Sequence, residues 1–137
     1  MKNILLIISL FIISINLKAQ NISGTYRWDL DDGRRNFVIE LSPTNIILGQ
    51  PISTYKGEHC GVFDYGNRMD CSYEEYSISL NRVSQNVFKG TILSSYSNSV
   101  SEIKITFLPT SGNIRWEVTK ESTGQNYFPL NVVMTKD

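Results

Sequence analysis

The chain has 137 residues, with 13 basic and 13 acidic side chains, one histidine and two cysteines. This length suits one domain rather than two, and the balanced charge argues against a protein that binds nucleic-acid phosphates. One histidine excludes a metal site built from several histidines. The hydrophobic content of 41% is enough for a packed core.

The first 19 residues have the organisation of a secretory signal. Lys2 precedes an apolar stretch, residues 4–13, and the small residue Ala19 stands at the boundary. The stretch is shorter than the roughly 20 residues that span a bilayer, and an uncleaved N-terminal anchor is the alternative. We expect cleavage after Ala19, which leaves a single domain of residues 20–137.

The expected mature chain is weakly acidic, because Lys2 and Lys18 leave with the signal and no acidic residue does. No cysteine lies near the cut to carry a lipid. We therefore expect a soluble protein, exported to the periplasm or the medium, with no stable membrane insertion and no nucleic-acid partner.

Alternation of apolar and polar residues, typical of β-strands, recurs along the mature chain, and no segment shows sustained helical periodicity. The predicted strands, in chain order, cover residues 22–29, 37–41, 46–48, 52–56, 76–80, 87–93, 102–107, 114–119 and 130–135.

The first predicted hairpin turns at Asp32-Gly33, a dipeptide that favours two-residue turns. This turn places six apolar or small residues on one face, because directly opposed residues in a hairpin point the same way. The predicted pairs are Trp28 with Phe37, Tyr26 with Ile39, and Gly24 with Leu41.

The second predicted hairpin turns through residues 109–112, which contain proline and glycine. A slip of one residue would move Trp116 from the core to solvent, so burial supports this register. The predicted pairs are Leu108 with Asn113, Ile105 with Trp116, Ile103 with Val118, and, on the outer face, Lys104 with Glu117.

Eight or nine short antiparallel strands in one domain predict an all-β fold. We expect a single up-and-down barrel of about eight strands, because closure removes exposed strand edges; a two-sheet β-sandwich is the alternative. The predicted core aromatics are Trp28, Phe37, Phe107 and Trp116.

Two resemblances accompany this fold. Gly24-Thr25-Tyr26, followed by Trp28, resembles the glycine-x-tryptophan opening of lipocalin-like barrels, with tyrosine in place of tryptophan. The chain also resembles a family of small exported Bacteroidota proteins that carries a domain-of-unknown-function label. The matching passages are residues 18–28, 36–41, 114–120 and 128–136. The resemblance implies an exported β-rich domain and no particular activity.

Cys60 and Cys71 are the only cysteines, and an even pair in an exported protein predicts a disulfide. The residues between them include a turn-forming segment, residues 64–67. Their ten-residue spacing is unlike that of redox-active pairs. His59 beside Cys60 suggests a Cys–His dyad, but neighbours in a strand point to opposite faces.

Other catalytic and metal patterns are poorly matched. Residues 29–33 resemble the start of a calcium loop, but Arg34 occupies the sixth position, where glycine is required. There is no Gly-x-Ser-x-Gly motif for a serine hydrolase. A carboxylate pair for glycoside hydrolysis is conceivable among the acidic residues near the cysteines. These are Asp64, Asp70, Glu74 and Glu75.

Tyr65, Tyr73 and Tyr76 surround the predicted disulfide loop and are the candidate ligand-binding residues, since loop tyrosines supply rigid amphipathic contact area. The sequence favours an exported, monomeric, non-enzymatic binding module with no cofactor or metal. Its ligand would be a small molecule, a glycan or a protein. A structural or envelope-interaction protein without a ligand cavity is the alternative, and a small hydrolase is the least favoured.

Overall fold

The structure is a computed structural model that describes residues 20–30, 32–72 and 75–137, so the predicted signal segment lies outside the described residues. Residues Asp64–Gly66 form a 3-10 turn. No helix in the described ranges is long and apolar enough to cross a bilayer. The strands are β1 Gly24–Asp29, β2 Arg35–Thr44, β3 Thr54–Phe63, β4 Arg68–Cys71, β5 Ile78–Ser84, β6 Val87–Leu93, β7 Val100–Leu108, β8 Asn113–Lys120 and β9 Asn131–Lys136.

The strands form one closed antiparallel sheet in which chain neighbours lie side by side. The order runs from β2 through β1, β9, β8, β7, β6 and β5 to β3, and β3 pairs again with β2. Eight strands therefore close a barrel, and β4 is an additional strand at its wall. The predicted up-and-down barrel is confirmed, and the sandwich alternative is wrong.

One edge of β3 is shared by two strands. Its first part, Thr54 to Gly57, pairs with β5, whereas its last part, Cys60 to Phe63, pairs with β4. Only two residues of β3 lie between these pairings, but six residues, 72–77, connect β4 to β5. Ser72 and Ser77, at the two ends of this connection, form part of the site described below.

Both predicted hairpin registers are confirmed, pair for pair. The outward pair also forms as expected, because Lys104 Nζ lies 2.8 Å from Glu117 Oε2. The first turn is longer than predicted. Leu30 N–H donates to Arg35 O, so the strand pairing stops at Leu30 and Arg35, before the residues that would flank a two-residue turn. A symmetrical lengthening of this kind leaves the register unchanged.

The prediction of a strand at residues 46–48 is wrong. These residues lie in the loop between β2 and β3, where Leu48 is fully exposed and Ile46 and Ile47 are more than half exposed. A short apolar run predicts a strand only if a sheet is available to bury one of its faces. Conversely, β4 was not predicted, because Arg68, Met69 and Asp70 show no apolar alternation.

The interior of the barrel is filled by side chains. Phe37 and Trp116 are completely buried, with ring centroids 5.0 Å apart at a steep angle. Phe107 is also buried, whereas Trp28 is only partly buried and packs against the core. Three of the four predicted core aromatics are thus buried, and Trp28 lies at the margin.

Each end of the barrel is closed by the chain itself. We call the end that bears the loops after β1, β3, β6 and β8 the top end. There, residues 121–130 fold over the opening, and Phe128 packs against Phe37 and Trp116. At the opposite end Ile22 is fully buried, and its N–H lies 3.4 Å from the Tyr55 hydroxyl.

Gly61 on β3 packs directly against the backbone of the segment that covers the top end. A Cβ atom at Gly61 would lie 1.9 Å from the carbonyl oxygen of Tyr127. We expect Gly61→Ala to lower the free energy of unfolding by about 3 kcal/mol, because backbone atoms must separate to admit the methyl group. Urea denaturation measures this difference.

The matched control is Gly49→Ala, which meets open space but has a φ of +80°. We expect this variant to lose about 1 kcal/mol of unfolding free energy, because alanine is disfavoured in the left-handed backbone region. Equal losses of stability in the two variants would contradict the close contact between residues 61 and 127.

Candidate functional site

The candidate site lies at the top end, where a buried pair of polar residues connects the wall to the loops. Ile39 and His59 are directly opposed on β2 and β3, so His59 points into the barrel as Ile39 does. Asp70 lies on β4, and both side chains are completely buried. His59 Nε2 and Asp70 Oδ1 are 3.2 Å apart.

The Asp70 carboxylate accepts hydrogen bonds from two loops as well as from His59. In the loop between β6 and β7, the Ser94 hydroxyl donates at 2.6 Å, and the backbone N–H of Ser95 donates at 2.8 Å. The N–H of Tyr127, in the segment that covers the barrel, donates at 3.3 Å. Asp70 therefore ties the loop after β6 and the segment after β8 to β4.

The other side of the imidazole faces two serines of the segment between β4 and β5. His59 Nδ1 lies 2.6 Å from Ser77 Oγ, which lies 2.9 Å from Ser72 Oγ. One consistent assignment has the imidazole donating from Nε2 to Asp70 and accepting at Nδ1 from Ser77. The polar chain thus runs from Ser72 through the barrel wall to Asp70.

The environment of Asp70 favours its ionised form. Burial alone would raise its pKa, but the hydrogen bonds from His59 and Ser94, the charge interaction with His59 and the Tyr127 N–H together lower the pKa below the ordinary value of 3.8. A carboxylate that accepts several hydrogen bonds is stabilised relative to the protonated acid. The site therefore holds a buried negative charge.

A concave surface of about 390 Å³ lies beside this polar chain. We call it the serine pocket. Hydroxyl, carboxylate and amide groups share its wall with the ring of Tyr76 and the side chain of Leu93. Its lining residues are Ser72, Glu75, Tyr76, Ser77, Leu93, Ser95 and Asn98.

The structure separates the predicted ligand-binding tyrosines. Tyr76 lines the serine pocket and is 58% exposed, and Lys56 Nζ lies 5.7 Å from its ring centroid. Tyr65 is 69% exposed in the turn after β3 and does not line that pocket. Tyr73 lies outside the described residues.

The predicted disulfide joins Cys60 and Cys71, which are directly opposed on β3 and β4. The suggested Cys–His dyad does not form, because His59 points inward and Cys60 is engaged in the disulfide.

The candidate carboxylates are dispersed. Asp70 is buried, Glu75 lines the serine pocket, and Asp64 lies in the exposed turn after β3. Glu74 lies outside the described residues. Within the described ranges, no group of three or more histidine, cysteine, aspartate or glutamate side chains is arranged to hold a metal ion.

Sequence reasoning did not find the His59–Asp70 pair, although a signal for it was present. If Cys60 pairs with Cys71, then their neighbours His59 and Asp70 lie diagonally across the two strands. Both then point to the face opposite the disulfide, which is the interior of the barrel. The disulfide therefore carried information about a polar pair that hydrophobic alternation could not supply.

Comparisons of the chain with protein-family models, with curated proteins and with solved structures found no significant match.

The buried carboxylate generates a prediction for stability. We expect Asp70→Asn to lower the free energy of unfolding by roughly 3 kcal/mol at pH 7, because a neutral amide replaces the charged acceptor of several hydrogen bonds, each of which contributes about 1.5–3 kcal/mol. Asp137→Asn is the control, since Asp137 is an exposed partner of Arg27 and such pairs contribute at most about 1 kcal/mol. Denaturant titration of both variants measures the difference.

The difference in unfolding free energy between wild type and Asp70→Asn depends on pH. Because the pKa of Asp70 is lower in the folded chain than its ordinary 3.8, the unfolded chain binds the proton more readily. The contribution of the carboxylate is complete above the unfolded value and is lost as pH falls through the folded value. The stability difference between wild type and Asp70→Asn should shrink below pH 4, and a constant difference would contradict the assigned ionised state.

Proposed function

We propose that the protein is an exported, non-enzymatic binding module that takes a small hydroxyl-rich ligand, such as a glycan unit, in the serine pocket. The observation that carries this proposal is a concave surface of about 390 Å³ whose polar floor is held by buried partners. Ligand pockets have volumes of roughly 300–1,000 Å³ and combine apolar walls with a few fixed polar groups.

The lining chemistry supports a polar, uncharged ligand. Serine hydroxyls and the Asn98 amide both donate and accept hydrogen bonds, and Glu75 accepts them. The exposed Tyr76 ring offers a flat apolar face with a polar tip. A sugar ring presents the complementary surface, because it has hydroxyl groups at its edge and C–H groups on its faces.

The polar floor is fixed before any ligand arrives. The Ser77 hydroxyl is hydrogen-bonded to the His59 ring. The Ser72 hydroxyl is hydrogen-bonded to Ser77 and accepts from the His59 backbone N–H, and the Ser95 N–H donates to Asp70. Groups that are already ordered lose less conformational entropy on binding than mobile groups do. The buried pair therefore serves as the support of the pocket.

Export is part of the proposal. The Cys60–Cys71 disulfide supports it, because disulfides persist mainly in oxidising compartments. The signal-like residues 1–19 and the resemblance to a family of exported Bacteroidota proteins support it from the sequence. The lipocalin-like character and the monomeric state belong to the same proposal.

The order Ser77–His59–Asp70 is that of a serine-hydrolase triad, but its surroundings favour a supporting role. Ser77 is only 7% exposed, and its hydroxyl is shared between His59 and Ser72. The nearby N–H groups of Ser95 and Tyr96 point at Asp70 rather than at a position for a reacting oxygen. We therefore expect no labelling of Ser77 by a fluorophosphonate, and labelling would favour a hydrolase.

The binding proposal is tested by comparing two tyrosine variants against a library of mono- and oligosaccharides, with saturation-transfer NMR as the readout. We expect Tyr76→Ala to weaken binding at least tenfold, about 1.4 kcal/mol, through loss of the stacking surface. Tyr65→Ala is the matched control, since Tyr65 is also an exposed tyrosine but lies outside the pocket.

Equal binding by the two variants would contradict the assigned pocket. The absence of any saccharide ligand in the millimolar range would contradict the ligand class.

A second candidate function, that of an interaction protein of the cell envelope, is favoured by one observation. The loop between β2 and β3 exposes three consecutive apolar residues, Ile46, Ile47 and Leu48. Exposed apolar clusters mark contact surfaces more often than isolated apolar residues do.

For this candidate, we expect replacement of all three loop residues by serine to abolish co-purification of an envelope partner in chemical cross-linking experiments. The fold should be unchanged, because these side chains are outside the core. Retained co-purification would contradict this second function, and Tyr76→Ala should have no effect on it.

A further inference from the structure

A second concave surface at the top end differs in chemistry from the serine pocket. It encloses about 260 Å³ and is lined by three arginines, one aromatic ring and one carboxylate. We call it the arginine mouth, and its residues are Arg34, Arg35, Phe63, Asp64 and Arg68. It shares no lining residue with the serine pocket.

The sheet register places two of these arginines on either side of Phe63. Arg35 on β2 is opposite Phe63 on β3, and Phe63 is opposite Arg68 on β4. Directly opposed residues share a face. Since Phe37, two residues after Arg35, points into the core, this face is the inner one, and the three side chains stand at its rim.

Aromatic rings hold both guanidinium groups in place. The Cζ atom of Arg35 lies 4.9 Å from the centroid of Phe63, and that of Arg68 lies 5.9 Å from the centroid of the buried Tyr127. A guanidinium that packs on an aromatic ring keeps its N–H groups available in the plane of the fork. Both guanidinium groups thus contact an aromatic ring, and both arginines line the mouth.

The charge of this surface is only partly compensated. Arg34 Nε lies 3.4 Å from Asp32 Oδ2. In the part of the chain that the structure describes, no carboxylate lies within salt-bridge distance of Arg35 or Arg68. Asp64 lines the mouth without pairing with either of them. Among the described residues, two arginines without a carboxylate partner therefore share this concave surface with Asp64.

The turn that joins β3 to β4 is held in an unfavourable conformation. Asp64 and Tyr65 have φ values of 53° and 55°, and Gly66 follows with 93°. The left-handed region is disfavoured for residues with a side chain. The Tyr65 N–H donates to Arg34 O, which links the turn to the neighbouring loop. Backbone strain of this kind is concentrated at binding sites, where the surrounding structure maintains it.

We propose that the arginine mouth binds a single oxyanion group, a carboxylate, sulfate or phosphate, on a small molecule. Arg35 and Arg68 donate hydrogen bonds to it from opposite sides of Phe63. Guanidinium forks recognise planar and tetrahedral oxyanions through paired N–H donors, which a spherical anion cannot match. This site is independent of the ligand proposed for the serine pocket.

The test is a titration of ¹⁵N-labelled protein at pH 7 with sodium phosphate and, separately, with sodium acetate, with chloride keeping the ionic strength constant. We expect saturable shifts of the Arg35 and Arg68 side-chain Nε–H signals and of the Phe63 amide. The oxyanion that binds more tightly shows whether the site prefers a planar carboxylate or a tetrahedral oxyanion. Arg35→Gln and Arg68→Gln should each weaken the tighter anion about tenfold or more.

The control is Arg115→Gln, which removes the same charge from an exposed position on β8. It should bind like wild type, and Tyr76→Ala should also bind like wild type, which separates this site from the serine pocket. Arg68→Lys serves if Arg68→Gln does not fold, because lysine keeps the charge but loses the paired donors. Shifts that fail to saturate, or equal weakening in Arg115→Gln, would overturn the proposal.

Discussion

The buried carboxylate of Asp70 is the constraint on which the top of the barrel depends. Burying a charged group away from water costs free energy unless hydrogen bonds from the protein replace those from water. Here the donors come from β3, from the loop after β6 and from the segment after β8. These segments must all be in position for Asp70 to be buried at low cost. The closed end, the serine pocket and the short strand β4 therefore form as one cooperative unit.

The disulfide acts on the same unit from the outer face. By fixing Cys60 opposite Cys71, it sets the register of β4, which has only four residues and little apolar surface of its own. A slip of one residue would turn Asp70 outward and Met69 inward. The disulfide and the Asp70 carboxylate thus favour the same register of β4. The disulfide fixes Cys60 opposite Cys71, and the carboxylate can be buried only in the register that brings it to its hydrogen-bond donors.

Hydrophobic alternation was sufficient to predict the barrel and both long hairpins. Those strands bury one face, so apolar residues such as Phe37, Ile105 and Trp116 indicate which face of the strand points inward. Alternation could not predict β4, because a strand whose inward residue is Asp70 looks like a loop. It also misplaced residues 46–48, since composition does not reveal whether a face is available to bury them.

The sites were harder to predict for a related physical reason. Both concave surfaces combine residues that are distant in the chain, and the closure of the sheet is what brings them together. Arg35 and Arg68 meet only because both neighbour Phe63. Tyr76 was identified from local composition, but its neighbours in the pocket, Leu93 at the end of β6 and Asn98 in the loop after it, come from another part of the chain. Tyr65 and Tyr76 were predicted to act together because both are near the cysteines in the sequence. In the structure only Tyr76 lines the serine pocket.

The pairing of β1 with β9 has a consequence for how the molecule is made. These are the first and last strands, so the ring is joined by residues at opposite ends of the chain, and Arg27 contacts Asp137. Until β9 arrives, β1 has β2 as its only neighbour and β8 has an open edge. A chain that emerges from its N-terminus therefore cannot complete the barrel before its final residues are free.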